Sequence, residues 1–334
     1  MSKKSHITSV GGQALIEGVM MQGPKGVATA VRKPDNSICV EYHKVKHLKD
    51  KCKFFGIPII RGIVAFIESM ILGYKLLMYS AEVSGMEDNE DVEMTKFEKW
   101  LDDKFGDKFM DFIMGIATVL GFALAFLIFF FLPVFIFNRI NAACDLRLTP
   151  WQGTIEGLMK IVIFVVYMVL VSQMKDIKRL YMYHGAEHKC INCIEKGRPL
   201  TVKDVKRSSR QHKRCGTSFL LFVVLVSVIV FFFIRVDNMA LKLVLRIALV
   251  PVIAGISYEI IRLAGRSDNI VVRIISAPGL WMQKLTTKEP DEDMIEVAIA
   301  SVEAVFDWKA YLKETFGYEV DDSWMQDTTA AEEP

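Results

Sequence analysis

What this 334-residue sequence has little of excludes several classes of protein. Six cysteines at uneven spacing are too few for the disulfide framework of a small secreted domain. A net charge of only +2 excludes a protein that binds nucleic acid over its whole surface. No apolar stretch follows the charged N-terminal residues, so we expect no signal peptide. No internal repeat is visible.

Apolar residues, by contrast, are abundant, and they are concentrated in long runs. They make up 52% of the sequence, whereas a soluble protein would disperse them at helical or strand periods. A bilayer core about 30 Å thick needs roughly 20 apolar residues in a helix. The sequence therefore predicts a mainly α-helical polytopic membrane protein with about four spans, at 112–137, 154–172, 219–234 and 241–261.

The distribution of lysine and arginine predicts the orientation of these spans. Residues 173–218 contain twelve of them, whereas the connections 138–153 and 235–240 contain three in total. Because cytoplasmic loops are enriched in lysine and arginine, we expect the 173–218 loop and both termini to be cytoplasmic. The predicted location is the bacterial inner membrane, crossed several times.

Residues 57–81 are also apolar and long enough to span, but they contain charged residues. A fifth span here would place the basic N-terminal region outside the cell, against the charge rule. We therefore predict an interfacial or re-entrant amphipathic helix, with a fifth span as the alternative.

The acidic segment 83–109 is predicted to be a short surface helix.

The segments that precede and follow the membrane domain in the sequence are predicted to be soluble. Residues 8–47 read as a small β unit, in which a glycine pair opens a strand-like run and residues 33–37 form a turn between two β-prone runs. A helical face is predicted near the C-terminus by Met294, Val297, Ala298, Ser301, Val302 and Val305. The acidic tail beyond Tyr318 is predicted to be disordered.

These observations predict four regions. They are an N-terminal β unit at 1–56, an interfacial helix with its acidic connector at 57–109, a four-helix membrane domain at 110–264 and a C-terminal region at 265–334. The membrane domain includes the 173–218 loop, which carries the residues most suited to chemistry.

The motif His184-Gly185-Ala186-Glu187-His188 has the H-x-x-E-H spacing of inverted zincins. Residues four apart lie on one face of a helix, so both imidazoles can reach one metal ion. Glu187 is suited to act as a general base on a metal-bound water. We expect the second span to continue as a helix into this motif, since no helix-breaking residue intervenes.

Further candidate ligands follow in the sequence. His212 and Cys215 lie just before the third span, and Glu259 lies near the predicted cytoplasmic end of the fourth. Because the chain re-enters the membrane directly after Cys215, we expect His212 and Cys215 at the same depth as His184 and His188. The set predicts Zn²⁺, or another divalent metal, since zinc binds three or four such ligands.

Two other interpretations of these residues remain open. Cys190 and Cys193, with His212 and Cys215, have the spacing of a closed structural zinc knuckle. Alternatively, the histidines contact lipid headgroups and Cys215 is ordinary packing. Glu17 and Gln13 could face the site, although solvated strand positions are the favoured interpretation.

The basic residues of the 173–218 loop predict a partner as well. They are most simply interpreted as a face that lies against anionic lipid headgroups, at about 1 kcal/mol for each cation near the surface. No interleaved aromatic residues support contact with RNA, so no specific nucleic-acid partner is predicted. A homo-oligomer is compatible with the sequence.

The combined motifs resemble the YqhQ-type family of bacterial membrane proteins. The resemblance extends from about residue 8 to residue 306 and is carried by Gly11–Met21, Pro58–Gly62, Tyr183–Lys189, Arg214–Ser218 and Ala277–Trp281. It implies a family of unknown function that is sometimes described as metal-dependent enzymes. It also implies that His184, Glu187, His188 and Cys215 belong to the family pattern and Cys190 does not, which favours the histidine-rich site.

The leading hypothesis is a zinc-dependent hydrolase at the cytoplasmic membrane face, acting on a lipid headgroup or a membrane-proximal peptide. Glu187 would be the catalytic base. The alternative is a membrane scaffold or assembly factor whose loop is stabilised by structural zinc. A transporter is disfavoured because we find no paired charges at mid-depth in the spans.

Overall fold

The structure is a computed structural model that describes residues 6–45, 53–85, 107–143, 151–234, 236, 238–266 and 269–317. The strands are Gly11–Leu15 (β1), Gly18–Gly23 (β2), Gly26–Arg32 (β3) and Ile38–His43 (β4). The helices are Ile60–Val83 (α1), Asp107–Phe126 (α2), Leu132–Ala143 (α3), Gln152–Val171 (α4), Lys175–Glu195 (α5), Val202–Lys206 (α6), Gly216–Phe232 (α7), Met239–Arg266 (α8), Ile270–Thr286 (α9), Glu292–Val305 (α10) and Trp308–Phe316 (α11). The predicted acidic surface helix falls mostly outside the described residues, and the predicted disordered tail falls wholly outside them.

The chain divides into two compact units. The first consists of Met1–Glu87, Met168–Val226 and Leu245–Pro334. The second consists of Asp88–Tyr167 and Ser227–Val244. All candidate site residues belong to the first unit.

The predicted N-terminal β unit is an antiparallel sheet in the order β1-β2-β3-β4. The turn predicted at 33–37 is confirmed, and the Asp35 carboxylate accepts a 2.9 Å hydrogen bond from the Ser37 amide there. The strand-like run at 11–20 is divided, however, because Glu17 adopts a left-handed φ of 49° between β1 and β2. That conformation lets the Glu17 carbonyl accept a 2.8 Å bond from the Arg32 amide.

The core of the first unit lies between this sheet, α5 and α10. The helical face predicted near the C-terminus is confirmed, because each of its six residues is at most 2% exposed. Among them, the Ser301 hydroxyl donates a 3.2 Å bond to the Ala28 carbonyl of β3. The N-terminal sheet and this C-terminal helix therefore form one core, although Ala28 and Ser301 are 273 positions apart in the sequence.

The predicted loop at 173–218 is largely helical. It consists of α5 and α6 with short connections, and Tyr183 to Ile194 of α5 contribute to the same core. The predicted continuous helix from the second span is wrong. Helix α4 ends at Val171, the Ser172 hydroxyl donates to the Val169 carbonyl at 2.7 Å, and Met174 is extended, so α5 begins as a separate helix.

Within the part of the chain that the structure describes, four helices are long and apolar enough to cross a membrane, but they are not the predicted four. They are Ile60–Val83, Gly115–Ala143, Gln152–Val171 and Leu243–Gly265. The third predicted span lies in α7, which at 17 residues is shorter. Helix α1, in contrast, is long and apolar enough to span. Its composition is therefore compatible with both predictions for residues 57–81, the interfacial helix and the fifth span.

The second unit contains a feature that the sequence reading overlooked. Helix α4 carries Glu156 and Lys160, which are only 1% and 6% exposed. The Lys160 ammonium lies 5.5 Å from the Phe130 ring centre and 4.6 Å from that of Phe231. Such cation–π contacts offset part of the cost of desolvating a lysine. The prediction that the spans contain no paired charges at mid-depth did not take these two buried residues into account.

The shared core predicts that a single apolar truncation in α10 destabilises the first unit. Ile295 is fully buried, so Ile295→Ala should lower the free energy of unfolding by about 2–5 kcal/mol. The neighbouring Glu296→Gln, which weakens only an exposed ion pair with Arg32, should cost less than about 1 kcal/mol. The measurement is the thermal unfolding midpoint in detergent. Equal midpoints for the two variants would contradict a core built on α10.

Candidate metal site

Two imidazoles on α5 form the centre of the candidate site. His184 and His188 lie one helical turn apart, and their ring centres are 4.4 Å from each other. His184 Nδ1 lies 2.9 Å from the Thr286 carbonyl oxygen, and His188 Nδ1 lies 2.6 Å from the Arg210 carbonyl oxygen. A carbonyl only accepts, so each Nδ1 carries the hydrogen. In the neutral form of each ring, Nε2 is therefore the nitrogen that is available to bind a metal.

Cys215 completes a set of three donors. Its Sγ lies 3.2 Å from His184 Nε2, and the ligand atoms of His184, His188 and Cys215 all lie within 4.8 Å of one another. Cys215 directly precedes α7, where the Thr217 amide donates to the sulfur at 3.4 Å. The start of a helix favours a thiolate, which is the form of cysteine that binds metals.

The charges of these groups depend on one another. Burial alone would raise the pKa of Cys215, but the charges of His184 and His188 outweigh it and lower that pKa well below its usual value. Burial likewise opposes protonation of His184, but the Cys215 thiolate outweighs it and raises the pKa of His184 to about 9. The thiolate of Cys215 and the imidazolium of His184 therefore stabilise each other.

Glu187 faces the same point as the two imidazoles. Its Oε2 lies 3.7 Å from His184 Nε2 and 4.0 Å from His188 Nε2, and the residue is 4% exposed. Strand β1 lies directly against it at Gly12. A Cβ there would lie 2.9 Å from Glu187 Cγ and 2.5 Å from the Met20 carbonyl oxygen. Only glycine allows the strand this close to the carboxylate.

A second close approach fixes His184. A Cβ on Gly185 would lie 2.0 Å from the Lys288 carbonyl oxygen, so glycine lets the segment after α9 pass directly over α5. The Lys288 amide donates a 2.9 Å bond to the Tyr181 carbonyl. This packing holds the nearby Thr286 carbonyl against the imidazole of His184.

The site opens into a cavity of about 560 Å³. Gly11, Gly12 and Gln22 of the sheet form one side of it, and His184, Glu187, His188 and Cys215 form another. A volume of this size is typical of sites for small molecules. The three donors therefore lie on the wall of a cavity rather than inside a closed core.

His212, a predicted ligand, lies at the cavity but is not among the three donors. Its Nε2 lies 3.5 Å from Glu195 Oε2, and its ring centre is 5.7 Å from that of His188. Burial would raise the pKa of Glu195, but the hydrogen bond from His212 and the charge of Arg214 lower it. His212 is held by a carboxylate that also accepts hydrogen bonds from Arg214 and Thr8.

Glu259, the other predicted ligand, belongs elsewhere. Both of its carboxylate oxygens accept hydrogen bonds from Arg61, at 2.7 and 2.5 Å. This ion pair joins α8 to the start of α1, where Ile59 adopts a left-handed φ of 70°. Such a conformation costs a β-branched residue about 1–3 kcal/mol. Glu259 therefore stabilises a strained helix start, and the prediction of a metal ligand there is corrected.

The zinc knuckle is likewise not assembled. Cys190 and Cys193 are fully buried in the apolar core, and Cys193 donates to the Pro199 carbonyl at 3.2 Å. Burial raises the pKa of both thiols, that of Cys193 to about 12. These two thiols therefore stay protonated in the core. Cys215, in contrast, lines the cavity.

Several other predicted groups have partners within the first unit. The Glu17 carboxylate accepts hydrogen bonds from Arg179 and, at 3.1 Å, from the Tyr183 hydroxyl, so it ties the sheet to α5. Among the basic residues of 173–218, Lys189 pairs with Glu289 and Lys206 with Glu292. Part of that basic charge is therefore neutralised internally, and binding of anionic lipid remains a prediction.

Sequence reasoning missed the groups that orient the imidazoles. The carbonyls of Thr286 and Arg210 are backbone atoms, which leave no mark in a sequence. The glycines at 12 and 185 were visible within the motifs, but only the packing shows what they approach.

Comparisons with known proteins agree with the resemblance seen in the motifs. Residues 57–308 match the model of a family described as "Protein of unknown function (DUF1385)". The chain is 38% identical over 304 residues to the uncharacterized protein YqhQ of Bacillus subtilis (strain 168), which covers 90% of this chain and 93% of that one. No solved structure matches the chain.

The charge coupling predicts how Cys215 reacts in metal-free protein. Because its pKa is lowered, its alkylation rate should change little between about pH 6 and 8. In His184→Ala the pKa should rise, so the rate should fall at the acid end of that range. Peptide mass spectrometry after iodoacetamide treatment measures this, with the buried Cys193 as an unreactive internal control. A steep increase with pH in the wild type would contradict the thiolate assignment.

Proposed function

Because the chain belongs to the DUF1385 family, whose description assigns no activity, we propose its function from the site itself: a zinc-dependent hydrolase. His184, His188 and Cys215 would hold the zinc. This proposal depends on the carbonyl contacts at the Nδ1 atoms of His184 and His188. They leave both Nε2 atoms for the metal, and the ligand atoms of the two histidines and Cys215 lie within 4.8 Å of one another.

The donor set fits zinc better than the hard cations. Two imidazole nitrogens and a thiolate are ligands of zinc, whereas magnesium and calcium prefer oxygen. Three protein ligands with a free fourth position are typical of catalytic zinc sites. The adjoining cavity offers space for water and a substrate group at that position, as a closed structural site would not.

A bound zinc would supply a Lewis acid that makes water acidic near neutral pH. The protein's own residues would supply the rest. Glu187, which is buried beside both Nε2 atoms, would accept a proton from a water in the cavity. Gly12 limits the space on the other side of this carboxylate and so restricts its motion.

A structural zinc is the second candidate, and one observation favours it. The three donors join α5 to the residue before α7, so an ion there would link two elements of the first unit. In that case the protein would be a membrane scaffold or assembly factor. The cavity beside Glu187 favours the enzyme.

The proposed ligand set predicts which residues zinc binding requires. Purified wild-type protein should contain about one zinc per chain, and His188→Ala or Cys215→Ala should lose it. His212→Gln should keep it, because the His212 ring faces Glu195 instead. Elemental analysis of the purified variants measures this. Zinc-free wild type, or loss of zinc in His212→Gln alone, would contradict the assignment.

The catalytic role of Glu187 is tested separately from metal binding. Glu187→Gln keeps the shape of the side chain but cannot accept the proton, so it should retain zinc and fold yet fail to replace the wild type in a deletion strain. Immunoblots should show normal abundance for it. If Glu187→Gln replaces the wild type fully, the catalytic assignment is wrong. If the zinc ligand variants lose abundance and Glu187→Gln has no effect, the scaffold is the better description.

A further inference from the structure

The cavity at the metal site adjoins a second, apolar cavity of about 600 Å³. Arg214, Cys215 and Gly216 line both. We propose that this apolar groove holds an acyl chain of a bilayer phospholipid, which presents the lipid's polar part to the metal site. The inference rests on the proposed function, whose substrate class it names.

Three apolar helices of the first unit form the groove. Phe66 and Met70 of α1 line one wall, Phe219 and Leu220 of α7 another, and Ile261 of α8 a third. The rings of Phe66 and Phe219 lie 5.2 Å apart, so α1 and α7 meet beside it. Helices α1 and α8 each contain a segment apolar enough to cross a membrane, which is where lipid chains are found.

Close packing between α1 and α8 holds the groove in shape. A Cβ on Gly62 would lie 2.8 Å from Tyr258 Cβ, and one on Gly255 would lie 2.5 Å from Ile59 Cγ2. The ion pair between Arg61 of α1 and Glu259 of α8 stabilises the same contact between the two helices. The groove is therefore bounded by helices that are fixed to each other.

The chemistry of the lining favours an acyl chain over a peptide. Most of the lining residues are apolar, with few polar side chains such as Gln13 and Ser69. A peptide backbone placed there would leave N–H and C=O groups without hydrogen-bond partners, which is unfavourable in apolar surroundings. A hydrocarbon chain has no such groups, and its burial is favourable.

The junction of the two cavities explains why a phospholipid fits better than a free fatty acid. Strand β1 contributes Gly12 to the polar cavity and the next residue, Gln13, to the groove, so the two spaces lie next to each other. Arg214 is fixed at the junction by a 2.7 Å bond to the Thr8 carbonyl and by Glu195. A headgroup would occupy the polar cavity, which a free fatty acid would leave unfilled.

Photolabelling tests this proposal on the full chain in vesicles of phosphatidylglycerol, a fraction of which carries a diazirine in one acyl chain. The peptide containing Phe219, which is half-buried, should be labelled in the wild type. Ala65→Trp fills the groove and should lower this labelling at least several-fold. Met70→Trp should do the same, and since Met70 is 55% exposed, this variant adds no bulk to the core.

The matched control is Val119→Trp, on an exposed apolar position of α2. It should leave labelling at Phe219 unchanged. Phe122, which is 73% exposed, reports contact with bulk lipid and should be labelled equally in all variants. Labelling at Phe219 that neither groove variant reduces would overturn the proposal. So would labelling by a diazirine fatty acid but not by the phospholipid, or displacement by a synthetic apolar peptide but not by unlabelled phosphatidylglycerol.

Zinc content measured on the same samples separates the two proposals. If the wild type holds zinc but the groove variants label normally, the lipid site is wrong and the metal site stands. If labelling depends on the groove but no zinc is bound, the hydrolase is wrong and the groove binds lipid for another purpose.

Discussion

The structure of the site depends on two hydrogen bonds to backbone carbonyls. Thr286 and Arg210 come from different segments, yet each presents its carbonyl oxygen to the Nδ1 of one α5 histidine. Since a carbonyl cannot donate, the tautomer of both rings is determined, and both Nε2 atoms are directed toward Cys215. These contacts fix which nitrogen of each ring faces the cysteine, and the spacing of the motif alone does not determine that.

Those carbonyls are held in place by the core of the first unit. Helix α5 is packed between the N-terminal sheet and α10, and the segment after α9 crosses it at Gly185. Strand β1 contributes Gly12 beside Glu187 and Gln13 at the apolar groove. A rigid core thus surrounds the residues proposed for chemistry, as expected for a site that must hold its ligands within a few tenths of an ångström.

The arrangement also connects polar chemistry with apolar surface. Cys215 lies where a polar cavity meets a groove formed by helices α1, α7 and α8. An enzyme that hydrolyses a lipid needs a polar cavity and an apolar groove next to its catalytic residues. The bond to be hydrolysed is polar, whereas the acyl chains are apolar. The ion pair of Arg61 with Glu259 serves this arrangement by holding two walls of the groove together.

The sequence by itself determined the apolar helices, the small N-terminal sheet, the buried face of α10 and the set from which the donors come. Each of these follows from local periodicity or from residue type, which a single sequence displays. Only the tertiary structure decided that Cys215 lies beside the two histidines. It also decided that His212 pairs with Glu195 and that Glu259 pairs with Arg61. Those choices depend on contacts between segments far apart in the chain and on backbone atoms that every residue possesses, so no pattern of side chains records them.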